Sequence, residues 1–167
     1  MSSFNLVTDS RLSDAVYRSN NQTGTTVVDG WRPLRVETIA DKDLSSTFGA
    51  QLYKNDATGQ YKVVFRGTEG NIDDWLQNLK YGTFRFSDEF RDAAVFMARA
   101  VLQVAQERGK SPSEVIELFT TTGHSQGGFL AQLVSVLFNV KGTSLDGMGA
   151  LVGSVALRDC RATRAVC

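Results

Sequence analysis

One stretch constrains the fold of this 167-residue chain more than any other: Thr120-Thr121-Thr122-Gly123-His124-Ser125-Gln126-Gly127-Gly128-Phe129. It reads as a strand-like run, then the pattern G-x-S-x-G, then apolar residues at helical spacing through Phe129, Leu130, Leu133, Val134, Val136 and Leu137. That order fits a sharp strand-to-helix turn, which presents a serine hydroxyl above the edge of a sheet. Gly123 and Gly127 flank Ser125 where a Cβ would collide with neighbouring backbone in so tight a turn. A bare G-x-S-x-G arises by chance in about one chain in twenty of this length, so its setting has to decide. Upstream, Val115-Ile116-Glu117-Leu118-Phe119-Thr120-Thr121-Thr122 is rich in β-branched and aromatic residues, as a strand entering the turn should be. The bland alternative is a turn serine beside a core helix.

With 42% hydrophobic and 22% charged residues the chain has an ordinary globular composition, enough for one core, so a single domain over 1–167 is the default. Eighteen basic residues balance eighteen acidic ones. No overall field draws the chain to nucleic acid or to an anionic bilayer, and neither is expected as a primary partner. The amino-terminal residues lack the basic start and continuous apolar segment of a secretory signal. The apolar stretch Met148 to Leu157 is too short to span a bilayer. A cytoplasmic location is the default, with export lacking a cleaved signal left open. Cys160 and Cys167 have no metal-ligand spacing and read as two free thiols in a loose tail, the alternative being a terminal disulfide. No metal or organic cofactor is implied.

Taken in order, Asp9 is a candidate cap for a short helix through Leu12, Ala15 and Val16, ended by the polar residues from Ser19 to Gly24. The segment holding Pro33, Val36 and Ile39 is mixed and receives no assignment. Phe48, Ala50 and Leu52, then Tyr61, Val63 and Phe65, alternate on either side of Asn55-Asp56-Ala57-Thr58-Gly59, which predicts a β-hairpin. Its second strand ends in Arg66-Gly67-Thr68-Glu69-Gly70, and sites in open α/β sheets lie at such carboxyl ends. Asp73 to Leu79 is a helical turn or a loop, with Trp75 expected in packing. Ser87 before Asp88 and Glu89 predicts the start of a helix through Ala94, Met97, Ala98, Val101, Leu102 and Ala105, stopped by Gly109. Pro112 then leads into the strand before the turn, and Val140 to Ala150 reads as a further strand ending in a glycine-rich loop. Strand, helix, strand, helix, strand implies right-handed parallel crossovers and an α/β fold.

Acyl transfer by serine needs a nucleophile, a base and donors aimed at the developing oxyanion. Ser125 supplies the first. The N–H of Gln126, directly after it at the amino end of a helix, supplies one donor. A second is expected from the loop after an earlier strand, where Thr68 has both an N–H and a hydroxyl; Thr68 as a simple turn cap is the alternative. Arg66 reads as an ion-pair partner rather than an oxyanion ligand.

Val63-Val64-Phe65-Arg66-Gly67-Thr68, then Asp74-Trp75 and Asn78-Leu79, then Gly123-His124-Ser125-Gln126-Gly127-Gly128 resemble the class 3 lipases and their lipase-like relatives within the α/β hydrolases. The resemblance covers roughly Phe48 to Ala150. It implies an α/β-hydrolase-like, mostly parallel sheet with flanking helices. It also implies hydrolysis of lipid or other carboxylic esters through an acyl-enzyme on Ser125, with Thr68 and Gln126 in the oxyanion hole. Contact with a lipid interface would then be transient. One departure is Gln126, where family members more often carry leucine.

The base is the difficulty. In this fold the acid and histidine of the triad follow the serine in the chain. His124 is the sole histidine, and side chains adjacent at a strained turn diverge. Asp146 is the candidate orienting acid, against its reading as a turn aspartate. The stretch 155–167 reads as an irregular tail, and a shortened gene product, ending after the strand that follows the Ser125 helix, is expected. A catalytically incomplete hydrolase-like protein that binds a ligand or partner is therefore the alternative function.

Overall fold

The computed structural model describes residues 5–19, 21, 27–37, 48–67 and 85–146. In chain order these form helix α1 (Leu6–Ser19), strands β1 (Trp31–Leu34), β2 (Ala50–Asn55) and β3 (Gln60–Phe65), helix α2 (Arg85–Arg108), the single turn α3 (Pro112–Val115) continued by a 3-10 turn (Ile116–Leu118), strand β4 (Phe119–His124), helix α4 (Gln126–Phe138) and strand β5 (Lys141–Leu145).

The hairpin forms where the alternation predicts it, with Leu52 opposite Val63 and Ala50 opposite Phe65. Its loop closes on Asn55, whose Oδ1 accepts from the N–H groups of Ala57 (3.0 Å) and Thr58 (3.1 Å), and on Gly59 at φ +69°. All five strands join one sheet in the order β1-β2-β3-β4-β5. The first two pairings are antiparallel and the last two parallel, so the α/β class holds with a mixed sheet. The stretch with no assignment supplies β1 at the edge, where Pro33 is tolerated because an edge strand has one side without a ladder partner. Parallel neighbours need a long crossover, and α2 and α4 lie within the two crossovers, β3 to β4 and β4 to β5.

Strand alternation divides the core between the two faces. Leu52, Tyr61, Val63 and Phe65 pack with Phe96, Met97, Ala100 and Val104 of α2 and with Leu130, Ala131 and Val134 of α4. Tyr53 and Val64 point the other way, onto Leu12 and Val16 of α1 and Trp31.

Three local expectations give way. Asn5, not Asp9, caps α1, its Oδ1 accepting from Thr8 N–H at 3.2 Å; Asp9 is one turn further on and buried. Helix α2 begins at Arg85, ahead of Ser87, which places Glu89 beyond the first turn. Val115 to Leu118 is helical, because Pro112 opens a turn whose Glu114 carboxylate accepts from Ser111 N–H (2.8 Å) and Oγ (2.7 Å), and these bonds hold the carboxyl below its ordinary pKa. Local capping there overrides β-propensity, and β4 starts only at Phe119. Among the described residues no helix is long and apolar enough to cross a membrane.

Candidate active site

Ser125 lies between the carboxyl end of β4 and the first residue of α4, with φ +56° and ψ −125°. L-residues rarely occupy that region; holding one there costs on the order of 1–3 kcal/mol, and such strain persists only where the surroundings over-determine the backbone. They do. Ser125 N–H donates to Leu145 O of β5 at 2.9 Å, and Ser125 O accepts from Phe129 N–H at 3.2 Å. The flanking glycines are steric requirements. A Cβ on Gly123 would stand 2.8 Å from Phe65 O and closer still to the Gly127 carbonyl. A Cβ on Gly127 would stand 2.8 Å from the carbonyl carbons of Phe65 and Arg66 and closer still to Phe65 O. Helix α4 thus starts in backbone contact with the end of β3.

That contact brings the loop after β3 to the serine. A Cβ on Gly67 would lie 2.8 Å from His124 O and 3.5 Å from Ser125 Cβ. Thr68, the next residue, lies outside the described residues, as do Trp75, Cys160 and Cys167. Gln126 is buried at the amino end of α4, where the helix dipole favours a developing negative charge. Its side-chain Nε2 donates to Glu89 Oε2 of α2, and both residues are buried. Glu89 was legible only as a helix-start acid; the polar residue at position 126, where leucine is commoner, was the one signal that a buried partner should exist.

Asp146 follows β5 at φ +47°, with its side chain 91% exposed. Its Oδ2 stands 3.7 Å from Nε2 of His124, whose side chain is 45% exposed, outside hydrogen-bond reach. In a serine triad Nε2 faces the serine and the acid takes Nδ1, so Asp146 stands at the nitrogen that a triad would turn to the nucleophile. Arg66 packs along Gly49, a Cβ on which would meet Arg66 Nε at 2.6 Å, and its N–H donates to Gly49 O at 2.9 Å. Among the described residues no group of three His, Cys, Asp or Glu side chains is gathered that could hold a metal ion.

Among solved structures the chain is similar to a fungal lipase characterised as a complex with an inhibitor, at 21% sequence identity and a TM-score of 0.38. The similarity covers 55% of this chain and 36% of the lipase, so this chain spans about a third of that protein. No curated relative matches. The family model of the Tle-like phospholipase domain matches residues 8–158, which takes in every described strand and helix α4, and the chain belongs to that family.

Proposed function

We propose that the chain carries a serine ester-hydrolase site acting on lipid or other carboxylic esters, with Ser125 as the nucleophile. The observation that carries the reading is the backbone of Ser125, at φ +56° and ψ −125° between a strand end and a helix start. Membership of a phospholipase-domain family supports the same chemistry. In this reading the Ser125 hydroxyl attacks the ester carbonyl, the Gln126 N–H receives the oxyanion, and Thr68 supplies the second donor from the loop that Gly67 brings to the serine. Glu89 anchors the Gln126 side chain and so fixes the peptide that bears the donor.

A second reading, a catalytically incomplete hydrolase-like protein that binds rather than turns over, is favoured by one observation: the only histidine in the sequence has its Nε2 3.7 Å from the exposed Asp146 carboxylate, the nitrogen a triad would turn to the serine. A fluorophosphonate probe and hydrolysis of nitrophenyl acetate separate the readings. Without a base aligned on Ser125, turnover should be slow, since a well-formed oxyanion hole alone retains about 10³–10⁴-fold over water. We expect labelling and slow hydrolysis, both abolished in Ser125→Ala and little changed in His124→Ala. Hydrolysis that survives Ser125→Ala would overturn the nucleophile assignment. Brisk hydrolysis lost in His124→Ala would make His124 the base. Labelling without any turnover would select the binding reading.

A further inference from the structure

Helix α1 lies on the sheet through Leu12 and Val16, which enter the core with Trp31, Tyr53 and Val64. The next residue, Tyr17, is half-buried and packs against that same cluster. Packing therefore fixes the ring, and the ring fixes where its hydroxyl can stand. A tyrosine combines an apolar body with a polar tip, so the body can be anchored in the α1 layer while the tip reaches beyond it.

The place it reaches is marked by Gly67. A Cβ on that glycine would lie 2.7 Å from Tyr17 Oη, 2.8 Å from His124 O and 3.5 Å from Ser125 Cβ. The tyrosine hydroxyl and the serine side chain thus border one small space, which any side chain at position 67 would fill. Tyr17 also lines, with His124 and Leu145, a cavity of about 350 Å³. Both of those residues belong to the turn: His124 precedes Ser125, and Leu145 O accepts from Ser125 N–H at 2.9 Å. Gly67 in turn precedes Thr68, the second donor proposed above. A phenolic hydroxyl donates one hydrogen bond. A donor held in advance where negative charge develops lowers the barrier, because nothing has to reorganise as the charge appears.

We propose that Tyr17 is a further catalytic residue of this site, its hydroxyl a side-chain donor to the oxyanion beside the backbone donors at Gln126 and Thr68. The proposal rests on Ser125 as nucleophile. As the bond from Ser125 Oγ to the ester carbon forms, the carbonyl π pair moves onto its oxygen and the serine proton passes to solvent. Tyr17 keeps its own proton throughout and shares it with that oxygen in a hydrogen bond. The donor comes from α1, so the oxyanion is held from both faces of the sheet, by α4 on one and α1 on the other.

The test is the rate at which a fluorophosphonate labels Ser125 in the full chain, measured against probe concentration for the wild type and for Tyr17→Phe, which keeps the ring and removes the hydroxyl. Thermal unfolding checks that the variant folds. Loss of one oxyanion donor lowers the chemical step by about a hundredfold or more. The saturating labelling rate should fall by that factor while the probe concentration at half-saturation stays the same, since the donor acts only on the charge that develops. A tyrosine that merely props the loop would behave differently, so ¹H–¹⁵N NMR of the unlabelled variant supplies the second readout: the amides of Gly67, Ser125 and Gln126 should keep their shifts. A rate within about threefold of wild type overturns the proposal. So does a slower rate accompanied by weaker probe binding or by displaced amides at those three residues, which would make Tyr17 a structural support. Labelling of wild-type Ser125 that is indifferent to Tyr17→Phe sinks Tyr17 alone. A wild-type chain that is not labelled at Ser125 sinks the hydrolase reading, and the role of Tyr17 with it.

Discussion

If the backbone of Ser125 is strained, replacing the residue by glycine should stabilise the fold while removing the hydroxyl. At φ +56° and ψ −125° the Cβ of an L-residue crowds its own backbone, whereas glycine occupies the region freely. The strain relieved is on the order of 1–3 kcal/mol. Against it stands the larger conformational entropy that glycine brings to the unfolded chain, about 0.4–1 kcal/mol. The Ser125 N–H bond to Leu145 O and the Phe129 N–H bond to Ser125 O are backbone bonds and survive the substitution. The net gain is about 1 kcal/mol, or a rise in Tm of roughly 2–4 °C for a chain of this size. Ser125→Ala is the control, since it deletes the same hydroxyl and keeps the strained Cβ. Urea unfolding of the three proteins, with unchanged m, reads the difference as a shift in midpoint. A Ser125→Gly protein no more stable than Ser125→Ala would refute the strain argument, because hydroxyl loss is common to both.

Two further outcomes test the frame around the site. Lys62 of β3 pairs with the buried Asp9 of α1, whose Oδ2 has no hydrogen bond among the described residues, and stands 5.0 Å from the Trp31 ring centroid; Lys62→Met should cost about 3–5 kcal/mol in urea unfolding, and adding Asp9→Leu should return most of it. A loss below about 1 kcal/mol in the single variant would show that water reaches the carboxylate. In the hairpin loop, hydrogen bonding to Arg32 first and to Lys54 second holds the Asp56 carboxyl at about 2, below its ordinary 3.8. Because the folded value is the lower one, the stabilisation is present above pH 4 and is lost as pH falls toward 2. Asp56→Asn should therefore lower Tm slightly at pH 6 and not at pH 2, and an equal deficit at both would refute the ion-pair account.

What the sequence discloses about this fold is what short-range physics settles. The hairpin around Asn55 and Gly59 and the helix stopped at Gly109, which adopts φ +63°, are decided within a few residues, and both are where the alternation and spacing put them. Strand β1 is not, since Trp31-Arg32-Pro33-Leu34 has no alternation of its own and is a strand only because β2 offers it an edge. Asp9 reads as a cap from its position, yet the lysine that draws it inward is fifty-three residues away. At the site the same division holds. Gly123, Ser125, Gln126 and Gly127 are legible because the turn's sterics are local. Glu89 reaches Gln126 from another helix, and no pattern in the sequence ties an acid near a helix start to the end of a distant strand.

The contacts that hold Ser125 also separate its geometry from its reactivity. The turn is fixed by the Leu145 carbonyl, by the first turn of α4, and by two glycines that let α4 meet the backbone of Phe65 and Arg66. No imidazole takes part. If Ser125 is the nucleophile proposed above, a fold that over-determines the turn in this way holds the residue in place whether or not a base is aligned with it, so loss of a base would leave the turn unchanged and lower only the nucleophilicity of its hydroxyl. The converse also follows. A substitution that lets α4 move from β3, such as a side chain at Gly127, should impair labelling of Ser125 through the proposed donor at Gln126 even with the hydroxyl intact, because Gln126 is tied at one end to the turn and at the other to Glu89 of α2.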